Sequence, residues 1–523
     1  MQYLTPQLIL KLLDGGDKLK KVILLIGFLA TVLMFSHVLA LEEKMGLELE
    51  WAFNTSDAFP DKSFGAGHQG SVTIYDIDGD GTMELLFGTR RGDSKRGWCV
   101  NGESGTLQWI YPPLGEDGLP GDPTSKWSIV DVNNDGTNEL CLAGRGGRLH
   151  VVKPDGSVLW TWDEPTAQNM HGGPQACDVD GDGNVEFFMN TGDGFIHRVS
   201  NTGELVWTSA QAGKGNQGQP TLADIDQDDV VEVLFASQDF NLYCLSAETG
   251  QEEWRFDTGA NQQTNQVIVA DVNNDGEYEA LTWTDAPSSA VFVVSFYGTE
   301  LARWTHPREG VNIRICQAMG DVNGDGSMDM AIMSGDAVFV IDIGAATPYT
   351  HWEANLTQLS VDGVLPEGAQ ANHWTSYQLI ADMDADGAQE ILWLAPFPIV
   401  TDAATGALEG YYVNEFMARN RRQENGGAWG DVDGDGVSEW VAEVNGNSHP
   451  ETQLYCFTMG GAFPADAWWP EYYHCALPAD EQAAASWLKG KASGSNSLFF
   501  PMPEFVLPSI AGMLCIGLLR RRR

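Results

Sequence analysis

The sequence predicts an all-β chain folded as a β-propeller of eight blades, and three observations predict it. An acidic loop recurs eight times, short apolar strand-like runs flank each copy, and a glycine turn leading to a tryptophan follows several of them. The copies read DIDGDGTME (76–84), DVNNDGTNE (131–139), DVDGDGNVE (178–186), DIDQDDVVE (224–232), DVNNDGEYE (271–279), DVNGDGSMD (321–329), DMDADGAQE (382–390) and DVDGDGVSE (431–439). Their first aspartates lie 55, 47, 46, 47, 50, 61 and 49 residues apart, and a period near fifty with one supersecondary unit per repeat marks a propeller or array. Seven blades plus an extra hairpin is the alternative.

Each loop has the form D-x-[DN]-x-D-G-x-x-[DE], broken only at Asp229, which stands where glycine is expected. Side-chain oxygens at positions 1, 3, 5 and 9, with a main-chain carbonyl at 7, suit a hard cation, and glycine at 6 allows the tight turn. The donors predicted for the first four loops are Asp76, Asp78, Asp80 and Glu84; Asp131, Asn133, Asp135 and Glu139; Asp178, Asp180, Asp182 and Glu186; Asp224, Asp226, Asp228 and Glu232. For the last four they are Asp271, Asn273, Asp275 and Glu279; Asp321, Asn323, Asp325 and Asp329; Asp382, Asp384, Asp386 and Glu390; Asp431, Asp433, Asp435 and Glu439. Up to eight Ca²⁺ ions are therefore expected. Magnesium demands near-octahedral geometry and keeps its waters, so it fits less well. Three carboxylates about 4 Å apart repel by roughly 4 kcal/mol per pair at an effective dielectric of 20, so metal binding and folding should be coupled. An EF-hand is excluded, because strand-like runs such as SVTIYD and ELLFG flank the loops where helices would be required.

Within each repeat an apolar strand follows the loop, then a second strand, a glycine turn and an aromatic, as in NLYCLSAETGQEEW (241–254). Glycine and tryptophan lie four apart in Gly105/Trp109, Gly156/Trp160, Gly203/Trp207 and Gly250/Trp254. Trp304 and Trp352 continue the series, Tyr411 replaces the tryptophan in the seventh repeat, and Trp468 is a looser eighth. Four short strands per repeat make one blade, and the large flat ring is expected between neighbouring blades. GLELEW (46–51) is available as a strand that completes the last blade.

The loops resemble FG-GAP/VCBS repeats, the calcium-loop blades of integrin alpha propellers. The strand-and-tryptophan half, SAETGQEEW in particular, is similar to the tryptophan-docking repeats of PQQ-like quinoprotein propellers. Together the two resemblances span residues 46 to 470.

The formal charge of −44 disfavours a nucleic-acid partner, which demands clustered Lys and Arg, and much of the acidity belongs to the loops themselves. Lys18, Lys20 and Lys21 precede an apolar run from Val22 to Phe35, so residues 1–40 read as a signal peptide or N-terminal anchor. The propeller is assigned to 41–486, a flexible linker to 487–500, and a C-terminal sorting signal or short membrane segment to 501–523. In that last segment Pro503-Glu504-Phe505 precedes VLPSIAGMLCIGLL and four arginines. Fourteen residues make a helix of about 21 Å, short of a hydrocarbon core of roughly 30 Å. The arrangement resembles PEF-CTERM sorting signals, which implies a sorting enzyme acting on the C-terminus, membrane or lipid attachment at the termini, and a product secreted and retained at the cell surface.

In integrin-type propellers the loops leading into each innermost strand lie on the face opposite the metals, so the resemblance implies a mouth lined here by His68, Trp127, His171, Gln217, Arg314, His373 and Trp374. Trp127 and Trp374 would serve as stacking platforms. His150 and His197 resemble a metal pair, but each lies 19 residues after its loop's first aspartate, as Tyr243 does, so they are repeat-equivalent strand positions. No nucleotide-binding glycine loop, HExxH or nucleophile elbow appears, and no catalytic residue is assigned. The leading expectation is a calcium-binding extracellular propeller that binds a surface protein or glycan without catalysis. A polysaccharide-lyase-like enzyme on the same propeller and a structural cell-surface component are the alternatives.

Overall fold

A computed structural model of the chain describes residues 48–462, apart from 59–63, 66–71, 90, 93–95, 113–126, 145–146, 164–172, 213–217, 261–266, 314–317, 335–336, 366–377, 384–386, 395–397, 412–426 and 446–451. Eight four-stranded antiparallel sheets form the eight blades. Blade 1 comprises Thr73–Tyr75, Glu84–Thr89, Arg96–Asn101 and Leu107–Tyr111, and blade 2 comprises Trp127–Val130, Glu139–Gly144, Arg148–Val152 and Val158–Asp163. Blades 3 to 7 repeat this order, with innermost strands Gln175–Cys177, Thr221–Ala223, Ile268–Ala270, Ala318–Gly320 and Gln378–Ala381. A two-stranded ribbon, Phe64–Gly65 with Arg91–Gly92, adds to the first blade's surroundings.

Burial explains the apolar runs. The second strand of blade 1, Glu84–Thr89, is buried at every position, as are Glu139–Gly144 and Glu232–Ala236, because both faces of a blade pack on its neighbours. The fourth strands run along the rim and mix exposed with covered positions, as in Val158–Asp163. Innermost strands of successive blades lie side by side and are stitched by short polar residues: Thr73 Oγ1 donates to the Trp127 carbonyl (3.4 Å), Ser128 Oγ to that of Pro174, and Thr221 Oγ1 to that of Val267 (2.5 Å).

Blade 8 joins the two ends of the ring. Gly427–Gly430, Val437–Asn445 and Thr452–Ala462 supply three strands, and Glu48–Asn54 pairs antiparallel with Thr452–Ala462 as the fourth, Trp51 opposite Cys456. The predicted closing strand is thus present over Glu48–Asn54.

Among the described residues, six tryptophans dock on the glycine turn of the next blade. A Cβ built on Gly105, Gly156, Gly203, Gly250, Gly298 or Gly406 would lie within 3.1 Å of the ring of Trp51, Trp109, Trp160, Trp207, Trp254 or Trp352 respectively. These turns also hold φ between +64° and +81°, which glycine adopts without a Cβ clash. Three indole N–H groups donate across the joint: Trp51 to the Gly102 carbonyl (2.8 Å), Trp207 to Ala247 (3.1 Å) and Trp352 to Ala403 (2.9 Å).

Three aromatic assignments are corrected. The ring-closing tryptophan is Trp51, from the first strand, and Trp468 lies outside the described residues. Opposite Val293 in blade 5 stands Ala302, so Trp304 lies two residues beyond the docking register and packs edge-on to His306 and Phe339. In blade 7 Gly410 faces Val400, which leaves Tyr411 at the strand end with 45 % of its surface exposed. Spacing along the chain shifted by one or two residues in these blades, and only strand register resolves it.

The long segment after Trp352 opens with the helix Leu356–Val361, capped by Asn355, whose side chain accepts from the Gln358 N–H at 2.8 Å. Among the described residues no helix is long and apolar enough to cross a membrane. The proposed signal segment, the linker and the C-terminal sorting signal lie outside the described residues.

Candidate metal centres

Every acidic loop connects the innermost strand of a blade to its second strand; the position-9 acid is the first residue of that strand in seven blades and the third, Glu439, in blade 8, whose strand starts at Val437. Because the strand order is the same in all blades, the loops share one face of the ring. A common hydrogen-bond scheme shapes them. The position-9 carboxylate accepts from the position-2 backbone N–H in all eight loops, at 2.7 to 3.3 Å, from Ile77 to Glu84 through Val432 to Glu439. Likewise Oδ2 of the position-1 aspartate accepts from the position-6 N–H in all eight, at 2.8 to 3.0 Å. Backbone donors to carboxylates favour the ionised form and hold its remaining oxygens in place.

In four loops the acids at positions 1, 3 and 9 bring one oxygen each within 4.8 Å of one another: Asp76, Asp78 and Glu84; Asp178, Asp180 and Glu186; Asp224, Asp226 and Glu232; Asp431, Asp433 and Glu439. Position 5, predicted to converge with them, is not in these groups. Its Oδ1 accepts instead from the position-7 N–H, as Asp80 does from Thr82 (2.8 Å) and Asp228 from Val230 (2.9 Å). In loops two and five the position-3 residue is asparagine, and Asn133 and Asn273 donate to Glu139 (3.0 Å) and Glu279 (3.2 Å). Asp384 and Asp386 of loop seven lie outside the described residues, while Asp382 and Glu390 keep the common scheme.

Oxygen donors at this density fit a hard cation such as Ca²⁺. Electrostatics point the same way. Burial pushes Glu232 up to about 9, with Glu253, Asp226 and Asp224 adding to it; burial likewise pushes Glu439 to about 8 and Glu279 to about 7. The backbone N–H each acid accepts only partly offsets this, and a neighbouring positive charge would stabilise the anion further. Loop four keeps the common geometry despite Asp229, which adopts φ +76° and donates to Asp224 as the glycines do elsewhere.

The loops differ in what else reaches the position-9 acid. Gln108, the residue before the docking Trp109, donates to Glu84 at 2.8 Å. The same place is held by Glu253 in blade 4 and by His351 in blade 6, whose Nε2 lies 2.6 Å from Asp329 Oδ1. Asp329, Asp342 and His351 form a further group of converging donor atoms. In loop three Arg198, 4 % exposed, reaches both Asp180 (2.7 Å) and Glu186 (3.0 Å). Sequence reading missed these four residues, because they lie on third and fourth strands and only register brings them to a loop.

Neighbouring loops also touch. Asn134 Nδ2 donates to the Gly183 carbonyl at 3.0 Å and Gln227 Nε2 to that of Gly276 at 2.8 Å, so position 4 of one loop holds position 6 of the next. His150 and His197 do not form a pair. His150 bonds the Tyr111 hydroxyl at 3.0 Å, and burial lowers its pKa to about 4; His197 lies between Thr191 and Thr208.

Of the residues predicted to line the opposite mouth, His68, His171, Gln217, Arg314, His373 and Trp374 lie outside the described residues. Trp127 does not offer a stacking face. It is fully buried between blades 1 and 2, its ring so close to Gly97 that a Cβ there would sit 2.3 Å away, and it meets Trp109 edge-on at 6.2 Å.

Residues 193–278 match the family model described as the lambda-carrageenase beta-propeller domain. No curated protein matches the chain. Among solved structures, the quinohemoprotein alcohol dehydrogenase of Comamonas testosteroni is similar at 12 % identity with a TM-score of 0.55, covering 83 % of this chain and 78 % of that one. The quinohemoprotein alcohol dehydrogenase ADHIIG of Pseudomonas putida HK5 is similar at 11 % identity and 0.52, covering 80 % and 76 %. The V. cholerae biofilm matrix protein Bap1 aligns at 13 % identity and 0.46, covering 85 % and 98 %. At these identities the likeness is one of fold, an all-β propeller.

Proposed function

We propose that the chain is a calcium-binding, cell-surface propeller that engages a glycan or a protein without catalysing a reaction. The observation that carries this reading is the loop scheme: two hydrogen bonds repeated in all eight loops hold oxygen donors on one face, around acids that burial has deprived of water. A bound Ca²⁺ supplies the charge those acids lack and ties the innermost strand to the second strand of its blade. Such oxygen sites fill where calcium is abundant, which supports an extracellular location and agrees with the apolar, lysine-preceded N-terminal segment.

The glycan class draws support from the partial match to a carrageenase propeller domain. With a formal charge of −44, this chain would hold an anionic polysaccharide only through bound cations, so binding of an acidic glycan should need Ca²⁺ whereas binding of a neutral one should not. The second reading, a polysaccharide-lyase-like enzyme on the same propeller, shares only the polysaccharide class with that match and requires a base near a substrate-bound metal. A test takes the full-length protein, with Ca²⁺ or with EGTA, against neutral and sulfated polysaccharides and scores retention and newly formed chain ends together. Retention without new ends supports the binding reading. New ends would replace it with the enzyme, and neither signal would overturn the glycan class.

A further inference from the structure

The third loop carries a permanent cation of its own. Arg198 Nη2 lies 2.7 Å from Asp180 Oδ2 and 3.0 Å from Glu186 Oε2, while Nη1 donates to the carbonyl of Glu248 in the next blade at 3.1 Å. The Arg198 side chain is 5 % exposed and that of Glu186 7 %, so their contact is sheltered, whereas Asp180 faces solvent. Register shows how unusual this residue is. Arg198 stands between Phe188 and Trp207 on the third strand of its blade. The equivalent positions in blades 1, 2, 4, 5, 6, 7 and 8 are Cys99, Val151, Cys244, Val293, Val340, Val400 and Cys456, all apolar and buried.

A calcium ion bridging Asp180 and Glu186 sits 2.3 to 2.6 Å from each oxygen. That is the place the guanidinium nitrogen holds, within hydrogen-bond distance of both. The ion and the guanidinium would also repel each other beside the buried Glu186. Arg198 cannot titrate away in the physiological range, so the charge is permanent.

We infer that Arg198 is the resident cation of the third loop, which stays neutralised without metal and takes no Ca²⁺. The chain then holds at most seven calcium ions, and the joint between blades 3 and 4 is the part of the ring that does not depend on them. This inference rests on the calcium reading of the other loops. It also accounts for the contrast with loop four, where Cys244 occupies the same register position and Glu232 has acids for neighbours.

Calcium stoichiometry of the full-length protein by equilibrium dialysis tests the inference. Arg198→Val should bind one more Ca²⁺ per chain than the wild type and should melt lower than it in EGTA, with the difference recovered in Ca²⁺. An unchanged stoichiometry in a folded Arg198→Val would overturn the assignment. Should that variant fail to fold, Glu186→Gln serves, since position 9 is acidic in all eight loops: the count should stay at the wild-type value, whereas Glu232→Gln in loop four should lower it by one. Loss of one equivalent in Glu186→Gln would show that loop three does hold calcium. A wild type that binds none would remove the general reading alone, provided Arg198→Val gains a site; no binding by either protein would remove both.

Discussion

The indole of Trp51 covers Gly105, so that the first strand of the ring, lodged in the last blade, is clasped by the turn of the first. Its N–H reaches the carbonyl of Gly102 at 2.8 Å. The same docking holds five other described blade joints; here it holds blade 8, in which Trp51 stands opposite Cys456, against blade 1. Trp51→Ala should therefore lower stability in Ca²⁺ by about 3 kcal/mol, in the range for truncating a large aromatic. Denaturant unfolding against Leu205→Ala, an exposed rim position, measures it; equal midpoints for the two variants would contradict a role in closure.

Calcium should raise the melting temperature of the wild type strongly and Mg²⁺ at the same concentration much less. Each site adds about 2.7 kcal/mol at a hundredfold excess of ion over its dissociation constant. Melting curves in EGTA, Ca²⁺ and Mg²⁺ check this, and overlapping curves in EGTA and Ca²⁺ would count against the loops as metal sites.

The pH dependence should change sign of emphasis with metal. In EGTA the acids Glu232, Glu439 and Glu279, pushed up to about 9, 8 and 7 from 4.5, bind protons more tightly folded than unfolded. Their contribution to stability is complete below pH 4.5 and is lost as pH rises through 7 to 9. The metal-free protein should thus melt lower at pH 9 than at pH 6, and saturating Ca²⁺ should flatten or reverse the slope. A melting series over that range in both conditions reads it directly.

Asp229→Gly should stabilise the fourth loop by about 1 kcal/mol, because a non-glycine residue at φ +76° pays for its Cβ and this one adds charge to an acidic loop. Calcium stoichiometry should be unchanged. A drop in melting temperature would mean that the Asp229 side chain has a role its backbone does not reveal.

Trp127→Ala should cost about 3 to 5 kcal/mol, the range for an aromatic removed from a packed core. Glycan retention, measured under conditions where the variant is still folded, should match the wild type. Selective loss of retention at unchanged stability would restore the residue to a mouth.

Much of this was legible in the sequence, for definite reasons. The loops are local, nine residues long and chemically explicit, so the period, the blade number and the closing strand could be read along the chain. Docking pairs were harder. Gly105 and Trp109 stand four apart in sequence, but Gly105 receives Trp51, and each tryptophan packs on the glycine of the next repeat. Regular spacing therefore signalled the motif while hiding which members meet. Arg198, Gln108 and His351 reach their loops across strands, through register that a bulge in each outer strand pair resets, and no spacing rule exposes that. Trp127 misled because the start of an innermost strand looks alike in sequence whether its side chain faces the mouth or the neighbouring blade.

The partnership of Glu48–Asn54 with Thr452–Ala462 also sets an order of events in time. Thr458 and Glu50, joined by a hydrogen bond between their side chains, are separated by 408 positions. Contacts so distant along the chain form slowly, since the entropy of closing the intervening loop is lost before any pairing offsets it. Seven blades can assemble from neighbours as they emerge from the ribosome, but the first strand must wait, unpaired, for nearly the whole ring to be made. Its edge is a waiting intermediate's most exposed backbone, and factors that guard nascent chains would meet the protein there.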